Sequence, residues 1–137
     1  MSNRITSQQA RAFLQAAASE AEIQAAILEY LAAMKIPHTI TNAALSYNGR
    51  GQIVRRITPG WPDITAVAPG GAALMIEVKS AIGKLRPEQA RTLHALYRAG
   101  ALIVIARSID DVAEALRTGK VRARDMEELK QALAKVD

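Results

Sequence analysis

Residues 60 to 79 read Gly-Trp-Pro-Asp-Ile-Thr-Ala-Val-Ala-Pro-Gly-Gly-Ala-Ala-Leu-Met-Ile-Glu-Val-Lys. Two apolar runs, Ile64 to Ala68 and Ala72 to Val78, flank Pro69-Gly70-Gly71, a turn signal of the three-residue hairpin kind. A turn centred on Gly70 sets Asp63 opposite Glu77 across an antiparallel ladder, give or take one position for the turn type. Side chains alternate along a strand, so Glu77 and Lys79 share one face, while Leu74, Ile76 and Val78 point the other way towards a core. Asp, Glu and Lys are almost never fully buried unless paired or metal-bound. Two acids and a lysine on a hairpin this apolar therefore call for something to offset their desolvation, and a divalent cation held by oxygens does so.

The chain has 137 residues, the size of one domain, and half of them are hydrophobic, which suffices for a core. Aromatics are scarce, so that core is built of Ala, Ile, Leu and Val. The 18 Lys and Arg against 13 Asp and Glu leave a net charge of +5, which suits a polyanionic partner, nucleic acid first. Without cysteine, disulfides and Cys-type zinc sites are excluded. There is no 18-residue apolar run and no charged-then-apolar leader pattern, so a soluble, cytoplasmic protein without a membrane partner is expected.

Upstream of the hairpin, Thr6 or Ser7 is expected to open a short helix running to Ala18, with Phe13 and Leu14 inward. Ser19-Glu20-Ala21-Glu22 fits a capping box ahead of a helix whose inner stripe is Ile23, Ile27, Tyr30, Leu31 and Met34. Glu22 is explained by capping. Glu20 falls inside the stripe, which makes it either a frayed first-turn residue or a functional carboxylate. Pro37 ends this helix, His38 to Thr41 begins a strand, Asn42 to Gly51 is loop-like, and Gln52 to Thr58 reads as a further strand.

Asp63 is the only acidic residue from Tyr30 through Ile76, and Arg50, Arg55 and Arg56 lie nearby in sequence. A metal ligand among phosphate-binding cations and a plain Asp–Arg salt bridge both fit this pattern. Trp61 is read as packing a corner of the fold, with base stacking the alternative.

Beyond the hairpin, a loop carries Lys84 and Arg86, and Pro87 opens a helix that Gly100 closes. Leu93, Leu96, Tyr97 and Gln89 face inward on it, and its basic N-terminal end is suited to phosphate. Ala101 to Ala106 is a buried strand, parallel to the Glu77 strand through this helix. Ser108 or Asp110 caps a short helix to Thr118. Lys120, Arg122 and Arg124 follow as a basic run. A last helix, 124–136, shows Met126, Leu129, Leu133 and Val136 on one side, a stripe that covers the sheet or pairs with a second copy.

Pro62-Asp63 followed by Glu77-Val78-Lys79 spells a PD-(D/E)xK nuclease motif. The wider order runs Ser19-Glu20 and Gln24 on a helix, Gly60-x-Pro62-Asp63, Ile76 to Lys79, Pro87-x-Gln89, and Arg107-Ser108-x-Asp110-Asp111-Val112 after an apolar strand. This order resembles the VRR-NUC family, the virus-type replication-repair nucleases, and in particular its small stand-alone members encoded by phages and bacteria. Trp61 is bulkier than the residue expected between this Gly and Pro.

The resemblance implies one nuclease domain over 1–137 (core about 19–116, then the C-terminal helix). It implies an α/β fold with a restriction-endonuclease-like core, a mixed central sheet flanked by helices. The implied activity is Mg²⁺-dependent endonuclease cleavage of DNA, with Mn²⁺ as a substitute, selective for branched or Holliday-junction DNA and carried out by a homodimer. Asp63, Glu77 and the Val78 carbonyl become metal ligands, Lys79 the catalytic lysine, Glu20 the helix carboxylate that completes the metal site, through water or by positioning a second ion, and Gln89 a supporting residue. Arg50, Arg55, Arg56, Lys84 and Arg86 become the DNA-binding cations. A non-catalytic DNA-binding module on the same fold is the alternative, and a buried ion network of Asp63, Glu77 and Lys79 a third reading.

Overall fold

The computed structural model describes residues 6–9, 18–42, 45–55 and 57–136, with only the backbone of 45–47 and 55. The expected N-terminal helix from Thr6 to Ala18 lies largely outside the described residues. The fold is α/β, with a four-stranded mixed sheet flanked by helices. The elements run α1 (Glu20–Ala33), β1 (His38–Ile40), β2 (Leu45–Tyr47), β3 (Ile53–Arg55), β4 (Ile64–Val67), β5 (Ala73–Val78), α2 (Pro87–Arg98), β6 (Leu102–Ala106), α3 (Ile109–Thr118) and α4 (Ala123–Ala134). Among the described residues no helix is long and apolar enough to cross a membrane.

The hairpin forms the middle of the sheet, in the order β1-β4-β5-β6. Ile64 pairs with Ile76 and Ala66 with Leu74, the register expected of a turn centred on Gly70. Inside that turn the Ala68 amide bonds the Ala72 carbonyl at 2.8 Å and the Gly71 amide bonds the Ala68 carbonyl at 2.9 Å. β5 then pairs in parallel with β6 through α2, as the apolar run from Ala101 suggests.

Because β5 is covered on both faces, its side chains feed two cores. Leu74, Ile76 and Val78 pack with Ile23, Ile27 and Leu31 of α1 and with Val112 and Ala115 of α3. Met75 lies on the other face with Ile103 and Ile105, under Leu93 of α2 and Leu129 of α4. The stripe of α4 thus covers the sheet. The helix ends at Ala134, inside the expected 124–136 span at its C-terminus and one residue earlier at its start.

Four expectations fail. Residues 42–51 are not all loop: Leu45–Tyr47 pairs with Ile53–Arg55 as a separate two-stranded sheet, so the strand read over 52–58 is shorter and stands outside the central sheet. Three residues of a Leu-Ser-Tyr run are too few for alternation to register. Met34 is 55 % exposed because α1 stops at Ala33 and Met34 is its C-cap. Tyr97 is 38 % exposed, near the end of α2. Arg122, read as part of a basic run, is buried.

The Arg122 guanidinium joins three elements. It donates to Asp125 at 2.7 and 2.9 Å, to the Ile105 carbonyl at 3.0 Å and to Asp111. Asp111 in turn accepts from the Arg107 amide at 2.8 Å, a bond made at the start of α3, where Ser108 is the N-cap residue but gives no side-chain cap. Burial alone would lower the Arg122 pKa, but the bonds and charges of Asp125 and Asp111 raise it. Burial raises the Asp125 carboxyl, opposed by Arg122. Removing one partner of such a network strands the other charges without water. Arg122→Met is expected to cost about 3–5 kcal/mol in urea unfolding, against about 0.5 kcal/mol or less for the exposed Arg124→Met.

Candidate active site

The loop before β4 is fixed from two sides. Gly60 adopts φ 79°, and a Cβ there would stand 2.2 Å from the Glu88 carbonyl oxygen, so only glycine lets this loop lie against the first turn of α2. The Thr92 hydroxyl donates to the Pro59 carbonyl at 3.0 Å, across the same contact. Trp61 packs on the core under α2 and donates from Nε1 to Thr65 Oγ1 at 2.9 Å, which matches its reading as a corner residue.

Pro62 has a specific consequence for the strand beside it. In the ladder Ile64 faces Ile76, and carrying that register two residues on sets Val78 opposite Pro62. Proline has no amide hydrogen, and the Pro62 carbonyl is already taken by Thr41 Oγ1 at 2.9 Å. The Val78 amide therefore turns to Asp63 Oδ2, at 2.8 Å. The Val78 carbonyl points to the same side of the strand and meets a residue that cannot donate. The Asp63 carboxylate and the Val78 backbone thus meet at the end of the sheet.

Glu77 and Lys79 are buried, 1 % and 5 % exposed. Gln89, also buried, spans them: its Nε2 donates to Glu77 Oε1 at 3.2 Å, while its Oε1 accepts from Lys79 Nζ at 2.9 Å and from the Arg86 amide at 2.9 Å. Only this orientation of the amide works, since the reverse would set its NH₂ against an ammonium and an N–H. Lys79 Nζ is 3.6 Å from Glu77 Oε1. Among the described residues Glu77 Oε2 has no hydrogen-bond partner, although it is buried. Burial first, and the neighbouring Asp63 charge second, push the Glu77 carboxyl up to about 8, against the opposing pull of Lys79.

Glu20, Gln24, Asn42, Asp63 and Val78 line one cleft of about 350 Å³. Glu20 is the first residue of α1, held there by the expected capping box, in which Ser19 Oγ accepts from the Glu22 amide at 3.1 Å. It is exposed at the cleft wall and not in the helix's inner stripe, because that stripe begins only at Ile23. Among the described residues no three His, Cys, Asp or Glu side chains form a group able to hold one ion. The structure thus brings Asp63, Glu77, Val78, Lys79 and Gln89 together, and Glu20 shares the cleft with Asp63 and Val78.

Lys84 and Arg86 are exposed beside the start of α2, and Arg50 is exposed on the turn between β2 and β3. The Arg55 side chain and Arg56 lie outside the described residues. Among the described residues no Arg or Lys forms an ion pair with Asp63, and the salt-bridge reading for Arg55 and Arg56 lies outside the described residues. Sequence reasoning quoted Pro62 only as part of a motif and missed its effect on Val78, which needs the register to be seen. It also missed Asn42, a cleft residue that no local pattern marks. Comparison with models of known protein families, with curated proteins and with solved structures gave no match.

The donor set fits a hard divalent cation: oxygen ligands, two neighbouring carboxyl groups, and one buried Glu77 oxygen to which no described group donates. Without metal, the folded chain keeps a proton on Glu77 that the unfolded chain gives up near its ordinary carboxylate value of 4.5. The stability from this group is full below that value and is lost as pH rises through about 8. In metal-free buffer the melting temperature is expected to fall from pH 5 to pH 8.5, and Glu77→Gln is expected to flatten that slope.

Proposed function

We propose that this protein is a divalent-metal-dependent nuclease that hydrolyses DNA phosphodiester bonds, of the VRR-NUC type, with a restriction-endonuclease-like core. The observation that carries the reading is the buried, unpartnered Glu77 Oε2 beside Asp63 and Lys79. A purely structural ion network would have satisfied that oxygen, as the Arg122 network satisfies its own carboxylates. Burying a carboxyl oxygen without a partner is unfavourable, and a bound cation would supply that partner.

Asp63, Glu77 and the Val78 carbonyl are the atoms that would hold the ion, with Mg²⁺ as the natural occupant and Mn²⁺ as a substitute. When bound, it supplies positive charge for the phosphate oxygens and acidifies water. The remaining work falls to the chain. Hydrolysis forms one P–O bond to water, breaks the P–O bond to the leaving sugar oxygen, and moves a proton from the water to that oxygen. Lys79, held by Gln89, would orient the attacking water and neutralise charge gathering on the phosphate. Gln89 keeps the ammonium from collapsing onto Glu77, sitting between them as donor to one and acceptor from the other. Glu20, which shares the cleft with Asp63, would act on the ion through water or help hold a second one.

DNA is the substrate that the net charge of +5 favours. Lys84, Arg86 and Arg50 are the exposed described cations assigned to backbone phosphate, and Arg55 and Arg56 extend the set by their place in the sequence. Such contacts position a duplex rather than read its bases. The family resemblance supplies the preference for branched DNA and the homodimer.

The test is Mg²⁺-dependent nicking of a four-way junction against a linear duplex of matching sequence. Asp63→Ala and Lys79→Ala are each expected to lower the rate by about 100-fold or more, with binding of the junction retained. Cleavage that persists in both variants would place the chemistry elsewhere. Binding of DNA with neither cleavage nor calorimetric Mg²⁺ uptake would favour the non-catalytic module.

A further inference from the structure

The turn that follows Lys79 displays an isoleucine to solvent from a rigid mount. Ile82 is 89 % exposed, the most exposed of the large apolar side chains described. Its turn is closed by the Gly83 amide bonding the Ser80 carbonyl at 3.1 Å. Arg107 reaches over from the end of β6 and grips both ends, donating from Nε to the Ser80 carbonyl at 3.1 Å and from Nη2 to the Gly83 carbonyl at 2.7 Å. Glu128 of α4 holds the same guanidinium at 2.6 and 3.0 Å. The turn is thus tied to the end of β6 and to α4, and the apolar tip is not a loose loop end.

Its location is equally specific. A Cβ on Gly83 would lie 3.2 Å from Ser80 Oγ, 3.3 Å from Glu20 Oε1 and 3.4 Å from Lys79 Cδ. The mount is packed directly against two residues of the candidate active site. Exposed Lys84 and Arg86 follow in the same loop. Singly exposed apolar side chains are common; what sets Ile82 apart is the Arg107-held turn that carries it beside Glu20 and Lys79. Flanking cations select a polyanion, and the apolar groups that a polyanion such as DNA offers are the faces and edges of its bases, reached where stacking is open or can be opened.

We propose that Ile82 is a specificity-determining wedge that inserts against an unstacked base step of DNA held in the adjacent cleft. This rests on the nuclease reading above and deepens it: branched DNA, whose stacking is already interrupted at the branch point, accepts the wedge at less cost than a continuous duplex. Arg107 is its positioning residue, through the turn.

The experiment compares wild type, Ile82→Ala and Ile82→Leu on a four-way junction and a linear duplex, with Ca²⁺ in place of Mg²⁺ to hold off cleavage. A 2-aminopurine at the branch point reports unstacking. Wild type and Ile82→Leu are expected to raise its fluorescence. Ile82→Ala is expected to leave it near the free-DNA level and to bind the junction about 10-fold more weakly, in line with the loss of one buried aliphatic side chain. Duplex binding and calorimetric Mn²⁺ uptake should be unchanged, which shows the fold and site intact. An alanine variant that unstacks and binds the junction as wild type does overturns the wedge while leaving the nuclease reading untouched. A change from dimer to monomer in sedimentation, with junction binding unaltered, overturns it in favour of a contact between copies. Wild type that binds neither DNA sinks both readings together.

Discussion

The carboxylate of Glu77 sits inside the sheet, with one oxygen shared by Gln89 and Lys79 and the other facing no donor. A chain does not fold around such a group by default. β5 must be central enough to bury it, α2 must bring Gln89 over it, and Asp63 must lie beside it although a second negative charge makes burial harder. Each of these is a cost to the metal-free fold. Under the proposed reading, a cation held by the two carboxylates would offset these costs.

The Arg122 network supplies the contrast within the same molecule. There the carboxylates of Asp111 and Asp125 meet guanidinium and backbone donors with no buried side-chain oxygen left over, and the result ties α3, α4 and β6 together. Arg107 plays a similar part between β6, α4 and the turn after Lys79. Two of the cations in the positive balance are therefore spent internally. Lys84 and Arg86, by contrast, stay exposed in the loop that follows that turn.

The backbone contributes as much as the side chains. Pro62 interrupts the β4–β5 ladder at the point where Asp63 and Val78 need to turn outward, and Gly60 allows the preceding loop to dock on α2. The end of a strand pair normally frays into water. Here it is held open in one geometry because the missing proline amide, the Thr41 bond and the Asp63 bond to Val78 leave no alternative pairing.

The sequence alone determined the hairpin, its register, the capping box of α1, the parallel return through α2 and the pairing of Asp63 with Glu77. All of these are local, resting on turn chemistry, side-chain alternation and helical periodicity over a few residues. It was silent or misleading wherever the outcome depended on what lies across space. Arg122 looks like surface charge in a basic run, yet two carboxylates on neighbouring helices draw it inward. Leu45 to Tyr47 looks like loop because a three-residue strand is made by its partner rather than by its own pattern. Glu20 looks like a stripe residue, but α1 begins beyond the edge of its core contact and turns it to the cleft. Tertiary structure alone decided that Glu77 Oε2 would be buried without a donor, because burial and the supply of hydrogen bonds belong to the packed elements together and not to any one stretch of chain.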